Sequence, residues 1–266
     1  MHRFHRAKAR VDHARRYVLP IACAIVTLSA MVFPAAAQNP LPPVDTFSAG
    51  GAAISISPVQ QMSVVIKTPA GIIYTDPTGG ARRYAGYPKP DIILISHEHG
   101  EHYDAATLAD LIMPSTRIVV PPYVMAQLPE PLRGHAIVLA NGERTDLGAV
   151  EVEAIPSYGL GGAAEQWHPR GRGNGYIVTV NGQRLYIAGS SEAIPEMLAL
   201  RDIYLAVLPL YPPYALGPED ALRAVTAMQP VLTYVYQYNS LQTRNDFVGL
   251  IEASDVPTSV IARDIN

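Results

Sequence analysis

One apolar run that ends in a knot of histidines and acids constrains this chain more than any other stretch. Asp91-Ile-Ile-Leu-Ile-Ser96 is apolar at nearly every position, as expected of a central strand buried on both faces. It leads directly into His97-Glu-His-Gly-Glu-His-Tyr-Asp104, which holds three histidines and three carboxylates. Side chains alternate along extended backbone, so His97 and His99 can point the same way. Glu101 and His102 follow, where the chain can turn into a helix that begins near Asp104. Neutral imidazole and carboxylate suit zinc or a similar divalent ion. A charge-rich polar loop is the plainer alternative, yet only five histidines lie beyond residue 37 and three of them are here.

The first 37 residues read as an address rather than as fold. Arg3, Arg6, Lys8, Arg10, Arg15 and Arg16 precede an apolar run from Val18 to about Phe33, and Ala35-Ala36-Ala37-Gln38 supplies a small-residue cleavage site. A cleaved signal peptide is expected, with a single uncleaved helix as the alternative. Arg15-Arg16-Tyr17-Val18-Leu19 also resembles a twin-arginine signal, which leaves the export route open. The expected location is the periplasm or the medium, with no stable membrane anchor after cleavage. Cys23 is the sole cysteine and lies inside this segment, so a processed chain has neither disulfides nor thiolate ligands.

Setting residues 1–37 aside removes six of the 20 Lys/Arg and one of the 23 Asp/Glu, leaving 14 against 22 and a charge of about −8. With no basic run, nucleic acid is an unsuitable partner; an unidentified small molecule is the expected one. Residues 38–44 read as a short leader and 45–266 as one domain without an internal linker.

Along that domain, strand-prone runs at 52–57, 63–67 and 72–75 form a meander, and Asp76-Pro-Thr-Gly-Gly80 ends it. Asp76 at a strand end suits either support of a metal ligand or the capping of a turn. Helices are expected at 105–112 and 122–127 and strands at 91–96 and 117–120, an alternating rhythm. A hairpin is expected at Asn141-Gly142, a strand at 149–155, and a long loop over 156–174. A second hairpin turns at Asn181-Gly182. Helices near 193–200, 218–227 and 246–252 then alternate with strands at 203–210, 232–236 and 259–262. The order suggests two similar halves.

The spacing His97-x-His99-x-Glu101-His102 after an apolar strand resembles the metallo-β-lactamase superfamily. Further likeness lies in Tyr74-Thr-Asp-Pro-Thr-Gly-Gly80, His168-Pro-Arg-Gly-Arg-Gly-Asn-Gly-Tyr176 and Tyr186-Ile-Ala-Gly189, and exported metallo-hydrolase-like members are the nearest match. The resemblance covers about residues 45–264. It implies an α+β fold, an αββα four-layer sandwich with metals at strand ends between two sheets. It also implies one metal site at His97, His99 and His168, and a second at Glu101 and His102 completed by a bridging aspartate and a final histidine.

Here the chain departs from the family pattern. The expected aspartate after Ala188-Gly189 is Ser190, the expected histidine between Tyr236 and Tyr238 is Gln237, and an early histidine position is Gln61. Glu101 stands where the family has aspartate. The resemblance therefore implies at most one zinc or other divalent ion, at His97, His99 and His168, with Glu101 as the base for a metal-activated water. Glu101 and His102 are left as a residual second site with Ser190, Gln237 and Gln61 as degenerate ligand positions. Glu192 would replace Ser190 only through a rearranged loop. A catalytically silent relative that binds a ligand or acts as a scaffold is the competing expectation. Tyr158, Tyr211, Tyr214 and Tyr236 are candidate substrate walls, Arg170 and Arg172 candidate anion receivers, and His135 a structural histidine.

Overall fold

The computed structural model describes residues 44–264; the expected export signal and nearly all of the leader lie outside the described residues. Apolar alternation builds the core. In strands β3 (Ser63–Thr68), β4 (Gly71–Thr75), β5 (Ile92–Leu94) and β6 (Arg117–Val120), residues Val64, Ile66, Ile73, Leu94 and Val119 face an inner core. Their neighbours Val65, Tyr74, Ile93, Ile118 and Val120 face an outer one. Period-two side chains buried on both faces explain why the run before His97 contains almost no polar residue.

With β1 (Asp45–Ala49), β2 (Ala52–Gln60) and β7 (Ala136–Val138), these strands form a seven-stranded sheet in sequence order. Pairing is antiparallel from β1 to β4 and parallel from β4 to β7. The second sheet repeats that plan. Strands β8 (Arg144–Asp146), β9 (Val150–Ser157), β10 (Gly173–Val180) and β11 (Gln183–Ile187) are antiparallel neighbours. Strands β12 (Ile203–Leu210), β13 (Leu232–Tyr238) and β14 (Ser259–Ala262) continue in parallel.

Between the sheets lie Ile54, Ile56, Ile66 and Ile73 from one side and Val152, Val178, Val207, Tyr234 and Tyr236 from the other. Helices α1 (Ala105–Leu111), α2 (Pro122–Gln127) and α3 (Glu130–Arg133) bury Leu108, Val124 and Leu132 on the first sheet's outer face. Helices α5 (Pro195–Leu198), α6 (Pro218–Met228) and α7 (Leu241–Glu252) bury Met197, Val225 and Phe247 on the second's. The result is the αββα sandwich, with the expected two similar halves visible in matching strand order.

Three expectations are corrected. Asn141-Gly142 does not close a hairpin: β7 and β8 belong to different sheets, and the turn is the crossover between them. Asn141 Nδ2 there donates to Gly173 O (2.9 Å) and Asn174 Oδ1 (2.7 Å), fastening the crossover to β10. Residues 156–174 are not all loop, because α4 (Gly162–Trp167) occupies the middle and β10 starts at Gly173. Gly161 caps α4 without a side-chain hydrogen bond, so the helix has no start signal in the sequence. Helix α7 starts five residues earlier than expected, at Leu241, where Ser240 Oγ accepts from Thr243 N at 3.1 Å.

Gly159 matters for placing α4. A Cβ there would lie 2.1 Å from the carbonyl carbon of Ala164 and 2.3 Å from Glu165 N, so the helix backbone itself would have to move. At Gly161 a Cβ meets nothing within 4 Å, and its φ of 170° is ordinary extended backbone. Gly159→Ala is expected to cost about 1–3 kcal/mol, lowering the melting temperature by several degrees, whereas Gly161→Ala is neutral or mildly stabilising. Thermal melts of both variants check this, and equal melting temperatures would contradict the close approach.

Candidate metal centre

The site stands where the first sheet's strands end. Asp76 follows β4 with a left-handed φ of 41° and donates its N–H to Leu94 O at 2.9 Å, so the carboxylate turns under the end of β5. It is buried, and its oxygens accept from Ser96 N (2.7 Å), Ser96 Oγ (2.6 Å) and His102 Nδ1 (2.7 Å). Of the two roles left open for Asp76, the structure therefore shows support of the histidine cluster. Ser96, an ordinary serine after a strand in the sequence, passes that support on: its Oγ lies 2.9 Å from His97 Nδ1. Since the Ser96 hydroxyl proton goes to the carboxylate, His97 Nδ1–H is the donor in that contact. His97 then carries its lone pair on Nε2, which is buried and has no hydrogen-bond partner.

Two turns bring the other groups in. His102 N and Tyr103 N both donate to His99 O at 2.8 Å, closing the loop that carries His97, His99 and His102. Asp104 caps α1, with Oδ1 accepting from Ala106 N (3.0 Å) and Thr107 N (3.2 Å). That accounts for the third carboxylate of the motif. His168 stands at the C-terminal end of α4, and its Nδ1 donates to Tyr214 O at 3.0 Å, which leaves Nε2 as its acceptor.

Ligand nitrogens of His97, His99 and His168 lie within 4.8 Å of one another. A tetrahedral zinc with bonds of about 2.0–2.1 Å needs nitrogens roughly 3.3 Å apart, which small side-chain rotations supply. Burial pushes the His97 imidazole well below its ordinary pKa, and the nearby His102 and His168 push the same way. His99 is lowered chiefly by burial, and burial followed by His99 and His102 brings His168 to about 4. All three are thus neutral near pH 7, the state in which imidazole binds a cation. The orphaned Nε2, the oriented tautomers and the neutral donor set fit a divalent ion.

A cavity of about 210 Å³ opens onto these histidines and is lined by His99, Glu101, Trp167, His168, Ser190, Tyr211, Tyr214, Ala215 and Gln237. Ser190 reaches His102, and Gln237 reaches Ser190. Ser190 Oγ is 3.1 Å from His102 Nε2 and 3.4 Å from Gln237 Oε1, so neutral groups fill the ground where the resemblance implied further ligands. Gln61 does not take part: it sits at the tip of the β2–β3 hairpin with φ 30° and is not among the lining residues. Nor does Glu192 replace Ser190, because its Oε2 accepts from Leu160 N at 2.5 Å.

Tyr211 and Tyr214 line the cavity, but Tyr158 and Tyr236 do not. Tyr158 Oη donates to Glu196 Oε2 at 2.9 Å under the guanidinium of Arg170, and Tyr236 is fully buried in the inter-sheet core. A register slip between Leu208 and Pro209 opposite β13 accounts for the error at Tyr236, since it turns Gln237 rather than Tyr236 to the cavity. Both arginines are committed within the fold. Arg170 pairs with Glu196 at 2.8 Å; Arg172 pairs with Glu98 at 2.5 Å and stacks 4.1 Å from the Tyr123 ring. His135 Nδ1 bonds Thr116 O at 2.9 Å, remote from the cavity lining. Trp167 is the lining residue with most apolar surface, its ring 5.3 Å from that of His99.

Residues 55–235 match the model of the beta-lactamase superfamily domain. The chain belongs to that superfamily. A UPF0173 metal-dependent hydrolase of Thermococcus onnurineus is 27% identical over 155 residues, spanning 56% of this chain and 67% of that one. A second, from Pelotomaculum thermopropionicum, is 26% identical over 187 residues, 65% of this chain and 80% of its own. Among solved structures, a Parabacteroides distasonis protein assigned to the metal-dependent hydrolases superposes with a TM-score of 0.75 at 31% identity, covering 84% of this chain and 99% of its own. Igni18, a metallo hydrolase of Ignicoccus hospitalis, has a TM-score of 0.66 at 18% identity, over 80% of this chain and 96% of its own, a likeness of fold alone.

The neutral histidines set a pH dependence. Their folded pKa values lie below the ordinary 6.5, so between 6.5 and about 4 the unfolded chain binds protons that the native site refuses. Chelator-treated protein should therefore lose stability as pH falls through that window, on the order of 3 kcal/mol for His168. These groups should have no effect above about pH 7.5. Urea melts across the range measure it; a flat profile down to about pH 4 would show that the histidines are not buried as neutral groups.

Proposed function

We propose that this member of the superfamily is a metal-dependent hydrolase that works with one ion, held by His97, His99 and His168. The observation that carries the reading is the contrast between the two halves of the site. Three neutral imidazoles converge with a buried, unpartnered Nε2 among them, whereas His102, held by Asp76 through Nδ1, presents its Nε2 to the neutral Ser190, with the neutral Gln237 beyond it. Neither an alcohol nor an amide neutralises a second cation, so the second site has lost the charge that would hold one. Zinc suits the three-imidazole set best.

A divalent ion held there supplies Lewis acidity and a water more acidic than bulk. The residues of the chain do the rest. Glu101, an exposed residue lining the cavity, would be the carboxylate to receive a proton from a water activated by such an ion. Trp167, Tyr211 and Tyr214 form a wall against which a small ligand with a flat or apolar part can pack. His168 keeps its orientation through Tyr214 O, and His97 through Ser96 and Asp76. A catalytically silent binding protein is the second reading, favoured by the same neutral pair at Ser190 and Gln237. Export to the periplasm or the medium, through the signal read in residues 1–37, belongs to the proposal.

Metal analysis of zinc-loaded, desalted protein should find about one equivalent. Two tightly held equivalents would overturn the one-ion reading, and none would favour the silent one. Ser190→Asp combined with Gln237→His restores a carboxylate and an imidazole facing His102 and should raise the stoichiometry towards two. Isothermal titration with zinc measures the second binding step.

A further inference from the structure

The contacts around His102 have a second meaning that does not depend on an ion. Asp76 Oδ2 lies 2.7 Å from His102 Nδ1, and His102 Nε2 lies 3.1 Å from Ser190 Oγ. We propose that Ser190, His102 and Asp76 form a serine–histidine–aspartate relay in which Ser190 is a nucleophile towards small carboxylic esters and related acyl compounds. This goes beyond the one-ion reading, for none of the three residues belongs to the His97, His99 and His168 set.

Proton counting supports the direction of the relay. The Asp76 carboxylate can only accept, so His102 donates through Nδ1 and, when neutral, bears its lone pair on Nε2. The Ser190 hydroxyl is then the donor to Nε2. Because Ser190 has a single proton, it has none left for Gln237. Gln237 Oε1 lies 3.4 Å from Ser190 Oγ; the relay needs that amide turned over, so that its NH₂ faces the serine and can donate to an oxyanion that forms beside it.

Local backbone presents the serine. Strand β11 ends at Ile187, and Gly189 takes a left-handed φ of 64° that turns Ser190 to the cavity. A Cβ at Gly189 would meet Asn174 O at 3.0 Å, Ser157 Oγ at 3.1 Å and Ser96 Cβ at 3.2 Å, so the sharp turn needs glycine. Ser190, Gln237 and the aromatic wall of Trp167, Tyr211 and Tyr214 border one cavity of about 210 Å³, which suits a compact acyl group.

The step balances without an oxidant or reductant. Ser190 Oγ bonds to the carbonyl carbon while its proton passes to His102 Nε2. Collapse breaks the carbon–oxygen bond of the ester, and the leaving alkoxide takes that proton. Water then attacks the acyl-serine, gives a proton to His102 Nε2, and releases the acid as Ser190 recovers its hydrogen. Asp76 is the positioning residue that holds the tautomer.

The test is covalent labelling with diisopropyl fluorophosphate, read by intact mass and peptide mapping on the protein as purified, zinc-loaded and chelator-treated. An adduct at Ser190 in the chelated protein is expected, which separates this relay from the ion. Ser190→Ala should give none. Ser191→Ala, at a serine committed to Glu192 O and Tyr158, should label at the wild-type rate. Asp76→Asn forces the wrong tautomer and should slow labelling by about 10⁴-fold, and His102→Gln by a similar factor. Melting curves establish that the variants fold. Absence of an adduct at Ser190 overturns the proposal, as does an unchanged rate in a folded Asp76→Asn or His102→Gln variant. Labelling of the urea-unfolded wild-type protein at the native rate overturns it as well, whatever the variants do.

Discussion

A single buried carboxylate holds the site together. Asp76 sits where β4 and β5 end and accepts three hydrogen bonds, from Ser96 N, Ser96 Oγ and His102 Nδ1. Hydrogen bonds to a charged group contribute roughly 1.5–3 kcal/mol each, and a buried carboxylate without them would be costly. The same three bonds fix the end of the strand, the rotamer of His102 and, through Ser96, the tautomer of His97. The second sheet is tied to the same place: Asn174 N donates to Ser96 O at 2.9 Å and Tyr176 Oη to Ile95 O at 2.7 Å. Site geometry and sheet-to-sheet registration are thus one network.

The scaffold around that network does not rely on charge at Ser190 and Gln237. Ser190 and Gln237 stand on loops and strand ends of the second sheet, whose stability comes from the layers of Val152, Val178, Val207 and Tyr234 inside and Met197, Val225 and Phe247 outside. Neutral residues facing His102 complete a hydrogen-bonded chain from Asp76 to Gln237, so no donor or acceptor of His102 is left unsatisfied. That chain touches the His97, His99 and His168 cluster directly, since the His97 and His102 rings lie 3.9 Å apart and Ser96 Oγ contacts both. One carboxylate therefore braces both the three-imidazole cluster and the Ser190 end of the same cavity.

The cavity wall follows from backbone detail. The turn from Tyr211 to Leu216 brings Tyr211 and Tyr214 to the cavity lining, and the Tyr214 carbonyl that orients His168 belongs to the same turn. Helix α4 contributes Trp167 from the other side and delivers His168 at its last turn. Close approach at Gly159 fixes that helix. The residues that wall the cavity thus also position the imidazole of His168.

The sequence by itself determined the order of strands and helices and the one cluster of histidines, because period-two burial and adjacent ligand spacing are local properties of a chain; the layered sandwich followed from the family resemblance. His97, His99 and His102 group within six consecutive residues, whereas His168 joins them only through resemblance to a family. Asp76 was visible as a strand-end acid with two roles open; Ser96 gave no signal, since a serine after a strand is ordinary. Gln61 and Tyr236 were misplaced for the same reason: a hairpin tip and a bulge of one residue change the direction of a side chain without changing composition. Only the tertiary structure decided that Asp76, His102 and Ser190 share one line of hydrogen bonds, because their separations of 26 and 88 residues are closed by sheet packing, not by any pattern in the chain.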